Sequence, residues 1–203
     1  LVASFIFGGM ENITATTMAD TEIAMANVDF LSGNVDDLVS HELSHSWFGD
    51  LVTCRNWAEL WLNEGFATFM EAAWREKKNG EKHYLEKVKQ DAEAFINEDA
   101  TVKNNHGLYN RQAGNVDALF DRSGVTYNKG GAVIHTLRRQ VGDQAFWKAI
   151  NLYLNRHKFG NVESTDLRAA MEEVSGQNLD WFFEQWVYGT GYPKLSVAPV
   201  WNP

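Results

Sequence analysis

The segment HELSHSW at residues 41–47 contains two histidines four positions apart, with a glutamate directly after the first. On a helix, residues at i and i+4 lie on one face, so the imidazoles of His41 and His45 can reach the same metal ion. Glu42 is rotated about 100° around the helix, where its carboxylate can reach water beside that metal. The spacing therefore predicts a metal site with its own general base. For so short a motif, two surface histidines on an ordinary helix are an equal alternative.

A third ligand is available further along the chain. Catalytic zinc sites usually have three protein ligands and one open position. Glu64, in WLNEGF, follows His45 after 18 residues, which fits a helix end, a loop and the start of an antiparallel helix. Glu71 lies two turns further on the same face and could hold the far nitrogen of a ligand histidine. An exposed helix carboxylate is an equal alternative for Glu71, and Asn63 is another candidate for a supporting contact.

Three motifs in this order resemble the gluzincin zinc aminopeptidases, which include aminopeptidase N, its bacterial relatives and the leukotriene epoxide hydrolase. They are FGGMEN at 7–12, HELSHSW with Glu64 in LNEGFA, and VTYNKGG at 125–131. FFEQWVYGTGYPKLSV at 182–197 is similar to that family's exit from its catalytic domain. The resemblance covers essentially the whole chain. It implies one zinc ion held by His41, His45 and Glu64, with Glu42 as the general base.

The resemblance also implies how a substrate is held. Glu11 would bind the free α-amine of a peptide, since an ionised carboxylate is the natural partner of an ammonium group. Gly8 and Gly9 would leave room for the backbone of the peptide. Tyr127 would donate its neutral hydroxyl to the oxyanion of the transition state. Without the zinc motif, GGMEN would be interpreted only as a turn after a strand, and Tyr127 as a half-buried aromatic residue.

The expected fold is α+β and mostly α-helical: a thermolysin-like zinc-peptidase core with a small β segment at the N-terminus. We treat 1–203 as one catalytic domain. Its parts are a β segment with the exopeptidase motif (1–30), a zinc-binding helix pair (31–79), a helical part (80–192) and the start of an exit strand (193–203). Strands are predicted at 1–7 and 13–19, and helices at 34–49, 58–78, 81–99, 126–141, 143–157, 164–175 and 178–188. An irregular loop at 100–125 is expected to hold one short helix near 115–120.

Composition excludes some classes of protein. The formal net charge of −9 argues against nucleic acid as a partner, because phosphate binding requires a basic face. The single cysteine, Cys54, excludes an internal disulfide. No apolar run is long enough to cross a membrane, so a soluble protein is expected, either cytoplasmic or exported. The chain starts at Leu1, only a few residues before its first motif, and therefore resembles a catalytic core taken from a longer enzyme with flanking domains.

The expected function is a zinc aminopeptidase that removes N-terminal residues from peptides with a free N-terminus. Epoxide hydrolysis at the same zinc site is one alternative, because GGMEN is compatible with both activities. An inactive zinc-binding core is another, although all the motif residues are present. An endopeptidase is a third alternative, and Glu11 argues against it.

Overall fold

The computed structural model of the chain describes residues 1–3, 5, 7–24, 32–102, 105–114, 119–120, 122–194 and 196–201. The strands are β1 (Gly9–Met10), β2 (Thr17–Met18), β3 (Val52–Cys54) and β4 (Gly160–Val162). The α-helices are α1 (Asp20–Ala24), α2 (Ser32–Ser44), α3 (Trp61–Asn79), α4 (Glu81–Thr101), α5 (Gly130–Val141), α6 (Asp143–His157), α7 (Ser164–Ser175) and α8 (Asp180–Phe183). The chain also forms a 3₁₀ turn (Trp57–Glu59) and two π turns (Gly124–Lys129 and Glu184–Tyr188).

Helix α3 is the central element, and it contacts α2, α4, α5 and the first π turn. Its first half is buried on nearly all sides, with Trp61, Phe66 and Phe69 almost completely removed from water. The ring of Phe66 stacks on Phe48, just beyond α2, at a centroid distance of 4.2 Å. Burial of such large side chains contributes about 1.5–3 kcal/mol each. The residues that follow the first zinc-motif helix are therefore fixed against the core.

The turn between α3 and α4 lets these two long helices run side by side. Gly80 adopts a φ of +91°, which a side chain would disfavour, and its N–H binds the carbonyl of Glu76 at 2.8 Å. Helix α4 then places Tyr84, Lys87, Asp91 and Phe95 in the interior. Two of these four buried residues are charged, so this face needs internal partners for its charges.

Two small sheets hold the ends of the fold. β1 pairs antiparallel with β2, with Gly9 opposite Met18, and this hairpin lies beside α2. β3 pairs parallel with β4, with Val52 opposite Gly160. The second pair connects the loop after the zinc motif to the α6–α7 region, which is far away in the sequence.

The mostly helical α+β class is confirmed. Helix α2, however, begins at Ser32 rather than at Asn34, and it ends at Ser44 instead of continuing to Gly49. The chain tightens into turns at residues 45–47, because Asp50 N–H binds the carbonyl of His45 in place of a continued helix. Helix α7 is capped by Glu163, whose partner in the capping box is Asp166, so the cap lies one residue before Ser164.

Several strand predictions were wrong. In the described part of 1–7, only Val2 forms a β-bridge, with Ala19; Ser4 and Ile6 lie outside the described residues. The strand predicted at 13–19 is reduced to Thr17–Met18 plus that bridge. Residues 193, 194 and 196–201 form no strand, because no described segment pairs with them and the side chains of Val197, Val200 and Trp201 are largely exposed. The short helix expected near 115–120 falls mostly outside the described residues.

Candidate metal centre

Helices α2 and α3 bring the three predicted ligands together. The Nε2 atoms of His41 and His45 lie 3.2 and 3.4 Å from the same Glu64 oxygen, Oε2. His45 lies just beyond the end of α2, yet the turn that follows keeps its ring beside that of His41, with centroids 4.9 Å apart. All three side chains are buried. Ligand atoms about 2.0–2.1 Å from a tetrahedral zinc lie about 3.3 Å from one another, so these residues fit that metal.

The far nitrogen of each histidine is also held. Nδ1 of His41 is 2.7 Å from Oε1 of Glu71, and Nδ1 of His45 is 2.9 Å from the carbonyl oxygen of Phe48. In both cases the partner accepts a hydrogen bond, so Nδ1 carries a proton and Nε2 is the nitrogen left to bind a metal. Such contacts fix the tautomer and the ring orientation of metal-binding histidines. The geometry therefore fits the supporting contact expected for Glu71.

Electrostatics favour a positive charge at this centre. Burial alone lowers the pKa of His41, but hydrogen bonds to Glu64 and Glu71 outweigh burial and raise that pKa to about 10. Burial raises the pKa of Glu64, but its contacts with His41 and His45 prevail and lower that pKa to about 2. A buried cluster that holds a carboxylate ionised and draws a proton onto an imidazole also attracts a metal cation.

Glu42 lies at the edge of the same cluster. Burial raises the pKa of Glu42 to about 7, although His41 and His45 oppose the shift. One of its oxygens, Oε2, is buried and has no hydrogen-bond partner among the described residues. A base with a pKa near neutrality can both take and return a proton. An acceptor oxygen without a protein partner is suited to bind a substrate or a water molecule.

The β1 strand brings the exopeptidase motif to Glu42. A carboxylate oxygen of Glu11 lies within 4.8 Å of ligand-type atoms of Glu42 and His45. A Cβ built on Gly9 would lie 2.2 Å from Oε1 of Glu42, so the strand approaches this side chain directly. Glu42 therefore occupies the space that a side chain at Gly9 would need, and glycine is required there. At Gly8, the nearest atom to an added Cβ is Leu38 Cδ1 at 3.4 Å, an ordinary contact.

Tyr127 lies in the π turn that precedes α5. Its ring is nearly parallel to the ring of His41, with an interplanar angle of 9° and centroids 6.0 Å apart. Burial and the neighbouring carboxylate of Glu64 raise the pKa of Tyr127 well above its usual value. The hydroxyl thus remains a neutral hydrogen-bond donor. Just after Tyr127, α5 crosses α3 closely at Gly130 and Gly65. A Cβ built on Gly130 would lie 2.8 Å from the Cα atom of Gly65.

Asn63 has a different partner from the one suggested by the sequence. Its Oδ1 accepts a hydrogen bond from the backbone N–H of Cys54 at 3.2 Å, so it ties α3 to β3. The far nitrogens of both ligand histidines already have Glu71 and Phe48 as partners. Asn63 therefore braces the loop after the motif.

The centre opens into a cleft of about 1080 Å³. Its wall includes Glu11, Glu42, Glu64 and Tyr127, and also the apolar side chains of Phe7, Met10 and Phe120. An apolar cleft with a few convergent polar groups is typical of a small-molecule or peptide site. Sequence reasoning missed the charged pair Lys87 and Asp91, of which Lys87 also lines the cleft. The sequence does contain a pattern that could have predicted this pair. Lys87 and Asp91 are spaced i, i+4 and share a helix face with Tyr84 and Phe95, so the charges lie on the buried face of α4.

Comparison with known proteins gives the family. The peptidase family M1 domain matches residues 1–186, and the chain therefore belongs to peptidase family M1. It is 35% identical over 197 residues to aminopeptidase N of Streptomyces lividans. The matched region covers 96% of this chain and 23% of the relative. It is 32% identical over 208 residues to the tricorn protease-interacting factor F2 of Thermoplasma acidophilum, covering 99% of this chain and 26% of the relative.

Solved structures agree with this assignment. A variant of the M1 zinc metallopeptidase from Deinococcus radiodurans, bound to a Tyr-Ser-Ala substrate, superposes with a TM-score of 0.69 at 29% identity. That match covers 92% of this chain and 38% of the other. The chain spans about a quarter of the length of the curated relatives it matches. Among the described residues, no helix combines the length and apolar character needed to cross a membrane.

Proposed function

We propose that this chain is the catalytic core of a zinc aminopeptidase that removes N-terminal residues from peptides. A single zinc ion would be held by His41, His45 and Glu64. The 3.2 and 3.4 Å spacings of the ligand atoms support this assignment, since they match the edges of a zinc tetrahedron. Bound zinc supplies a Lewis acid that activates water and polarises the scissile carbonyl.

Each remaining step falls to a side chain at the centre. Glu42 takes a proton from the attacking water and passes it to the leaving amine, which suits a carboxyl with a pKa of about 7. Tyr127 donates a hydrogen bond to the oxyanion of the tetrahedral intermediate. Glu11 binds the α-ammonium group, so that the peptide bond after the first residue lies beside Glu42.

The observation that carries the proposal is the position of Glu11. Its carboxylate lies within 4.8 Å of ligand-type atoms of Glu42 and His45, so an α-amine bound by Glu11 would lie close to the proposed base. An endopeptidase would have no use for an anionic group there, because an internal residue offers no ammonium to bind. The substrate class is supported by a relative, since the Deinococcus radiodurans enzyme was solved with a Tyr-Ser-Ala peptide.

The test compares three proteins, each purified at full length: wild type, Glu42→Gln and Glu93→Gln. Glu93 is exposed on α4 and serves as a matched control. We expect Glu42→Gln to keep wild-type zinc content and to lose about 10²–10⁴-fold in kcat on an aminoacyl-anilide, since a positioned base is worth that much. Zinc content is measured by metal analysis, and kcat by steady-state kinetics.

A second arm tests exopeptidase action. Wild-type protein should cleave an aminoacyl-anilide and leave its N-acetylated counterpart intact, because acetylation removes the charge that Glu11 binds. Equal rates on the two substrates would refute the aminopeptidase assignment. Bound zinc with no cleavage of either substrate would favour an inactive zinc-binding core.

A further inference from the structure

Lys87 is a buried lysine behind the metal centre, with only 7% of its surface exposed. Its ammonium group lies 2.8 Å from Oε2 of Glu71 and 2.7 and 2.8 Å from the two oxygens of Asp91. These three contacts match the three N–H donors of the ammonium group. Lys87 is therefore saturated by two carboxylates that come from different helices, α3 and α4.

Each of those carboxylates has a second partner on the side of the active centre. The other oxygen of Glu71 holds Nδ1 of His41 at 2.7 Å. Asp91 accepts a hydrogen bond from the side-chain amide of Asn128 at 2.8 Å. Asn128 is the residue after Tyr127, whose ring lies over the ring of His41. The contacts thus form a closed ring, which we call the lysine ring: His41, Glu71, Lys87, Asp91, Asn128 and Tyr127.

Lys87 is the cation that holds the lysine ring together. Asp91 is buried and Glu71 is half-buried, and two carboxylates so close together in the interior repel each other without a charge between them. Removing one partner of a buried ion pair leaves an uncompensated charge, which is strongly destabilising. Without Lys87, the carboxylate of Glu71 loses the charged partner that holds it in place at 2.8 Å. The acceptor that orients the imidazole of His41 is then less firmly positioned.

We infer that Lys87 is a positioning residue of the metal centre, which orients a zinc ligand through Glu71 and the transition-state donor Tyr127 through Asp91 and Asn128. The inference rests on the proposed function for the role of Tyr127, whereas its zinc-binding half is independent of peptide hydrolysis. A buried ion pair that served only to join α3 and α4 would affect stability but not these two side chains separately.

The experiment uses two substitutions, each of which removes a different contact of the lysine ring, in the protein purified at full length. Lys87→Met removes the cation while keeping an unbranched side chain, and Lys89→Met is the control, since Lys89 is exposed on the same helix. The dissociation constant for zinc is measured by competition with a chelator, with no peptide present. We expect about a 10–100-fold weaker affinity in Lys87→Met, the range found when partners of metal ligands are removed. The control should stay within twofold of wild type.

The second cut separates the two ends of the ring. Asn128→Ala releases the tyrosine turn from α4 but leaves Lys87 between Glu71 and Asp91. We expect the zinc affinity of Asn128→Ala to stay within twofold of wild type, while kcat on an aminoacyl-anilide falls about tenfold because Tyr127 loses its position. A loss of stability alone would not produce this split between metal affinity and kcat.

The outcomes are decisive in either direction. A folded Lys87→Met protein with the zinc affinity of its control overturns the inference. Should Lys87→Met fail to fold, Asn128→Ala decides: an unchanged kcat overturns the inference and the expected fall upholds it. If the wild type binds zinc but cleaves no peptide, the proposed function fails, while the zinc affinity of Lys87→Met still decides the role of Lys87.

Discussion

Gly130→Ala tests whether the close crossing of α3 and α5 positions the catalytic groups. The added Cβ would lie 2.8 Å from the Cα atom of Gly65. Carbon atoms prefer separations of about 3.5–4.0 Å, so the two backbones must move apart by at least about 0.7 Å. The obstructing atoms are backbone on both sides, and no side-chain rotation can relieve the contact. Glu64 precedes one glycine directly, and Tyr127 lies three residues before the other.

The magnitude follows from that displacement. Overpacking costs about 1–3 kcal/mol, and replacing a helical glycine by alanine returns about 1 kcal/mol, so the net loss of stability is about 1 kcal/mol. For a chain of this size that lowers Tm by about 2–4 °C. The effect on activity should be larger, because a misplacement of 1 Å can cost about 10²-fold in rate. We expect kcat to fall about 10–100-fold.

The assay is steady-state hydrolysis of an aminoacyl-anilide, with Tm measured by calorimetry on the same preparations. Gly114→Ala is the matched control, since among the described residues an added Cβ there would meet nothing closer than the Gln112 carbonyl oxygen at 3.9 Å. A Gly130→Ala protein with a kcat within threefold of the control would show that this crossing does not position Tyr127 against Glu64.

Three further results are expected. Tyr127→Phe should lower kcat about 10²–10³-fold with KM and zinc content nearly constant, as for loss of one oxyanion donor; a change confined to KM would exclude that role. Glu64→Ala should weaken zinc by more than the roughly 10–100-fold typical of supporting residues, and an unchanged chelator competition would show that Glu64 is not a ligand. Burial and the charges of Arg139 and Arg138 lower the pKa of His135 to about 4. On acidification from pH 7 to 4, His135 therefore takes up a proton in the unfolded chain but not in the folded chain. His135→Gln should therefore reduce the loss of unfolding free energy on acidification from pH 7 to 5, and an unchanged loss in denaturant titrations would contradict this.

The parts of the centre that sequence could predict are those fixed by the period of a helix. His41 and Glu42 lie on one helix, with His45 just beyond its end, and Glu64 and Glu71 are seven residues apart on another, so their directions follow from spacing. Only the pairing of the two helices had to be assumed. Long helices such as α3 and α4 were also predictable, because their apolar residues repeat over many turns.

Other features depend on contacts between distant segments. The parallel pair β3–β4 joins Val52 to Gly160 through only three residues per strand, which is too short for an alternating pattern to appear. On α4, the apolar Leu85 is 43% exposed, while the charged Lys87 is buried. A lysine is ordinarily assigned to the surface, and only its two carboxylate partners make its burial tolerable. One of those partners, Glu71, belongs to another helix.

The charges at the centre explain why its polar residues form one network of hydrogen bonds and ion pairs. Hydrogen bonds to His41 and the charge of Lys87 outweigh burial and lower the pKa of Glu71, so Glu71 is ionised and lies between a cation and a metal-ligand candidate. Glu64 is ionised on the opposite side of His41. A single lysine cannot balance both of these carboxylates together with Asp91, and the proton drawn onto His41 supplies only part of the missing positive charge. Burying these carboxylates is therefore unfavourable without a further cation. A divalent ion would supply the missing charge where the ligand lone pairs converge, so the site favours binding of a metal cation.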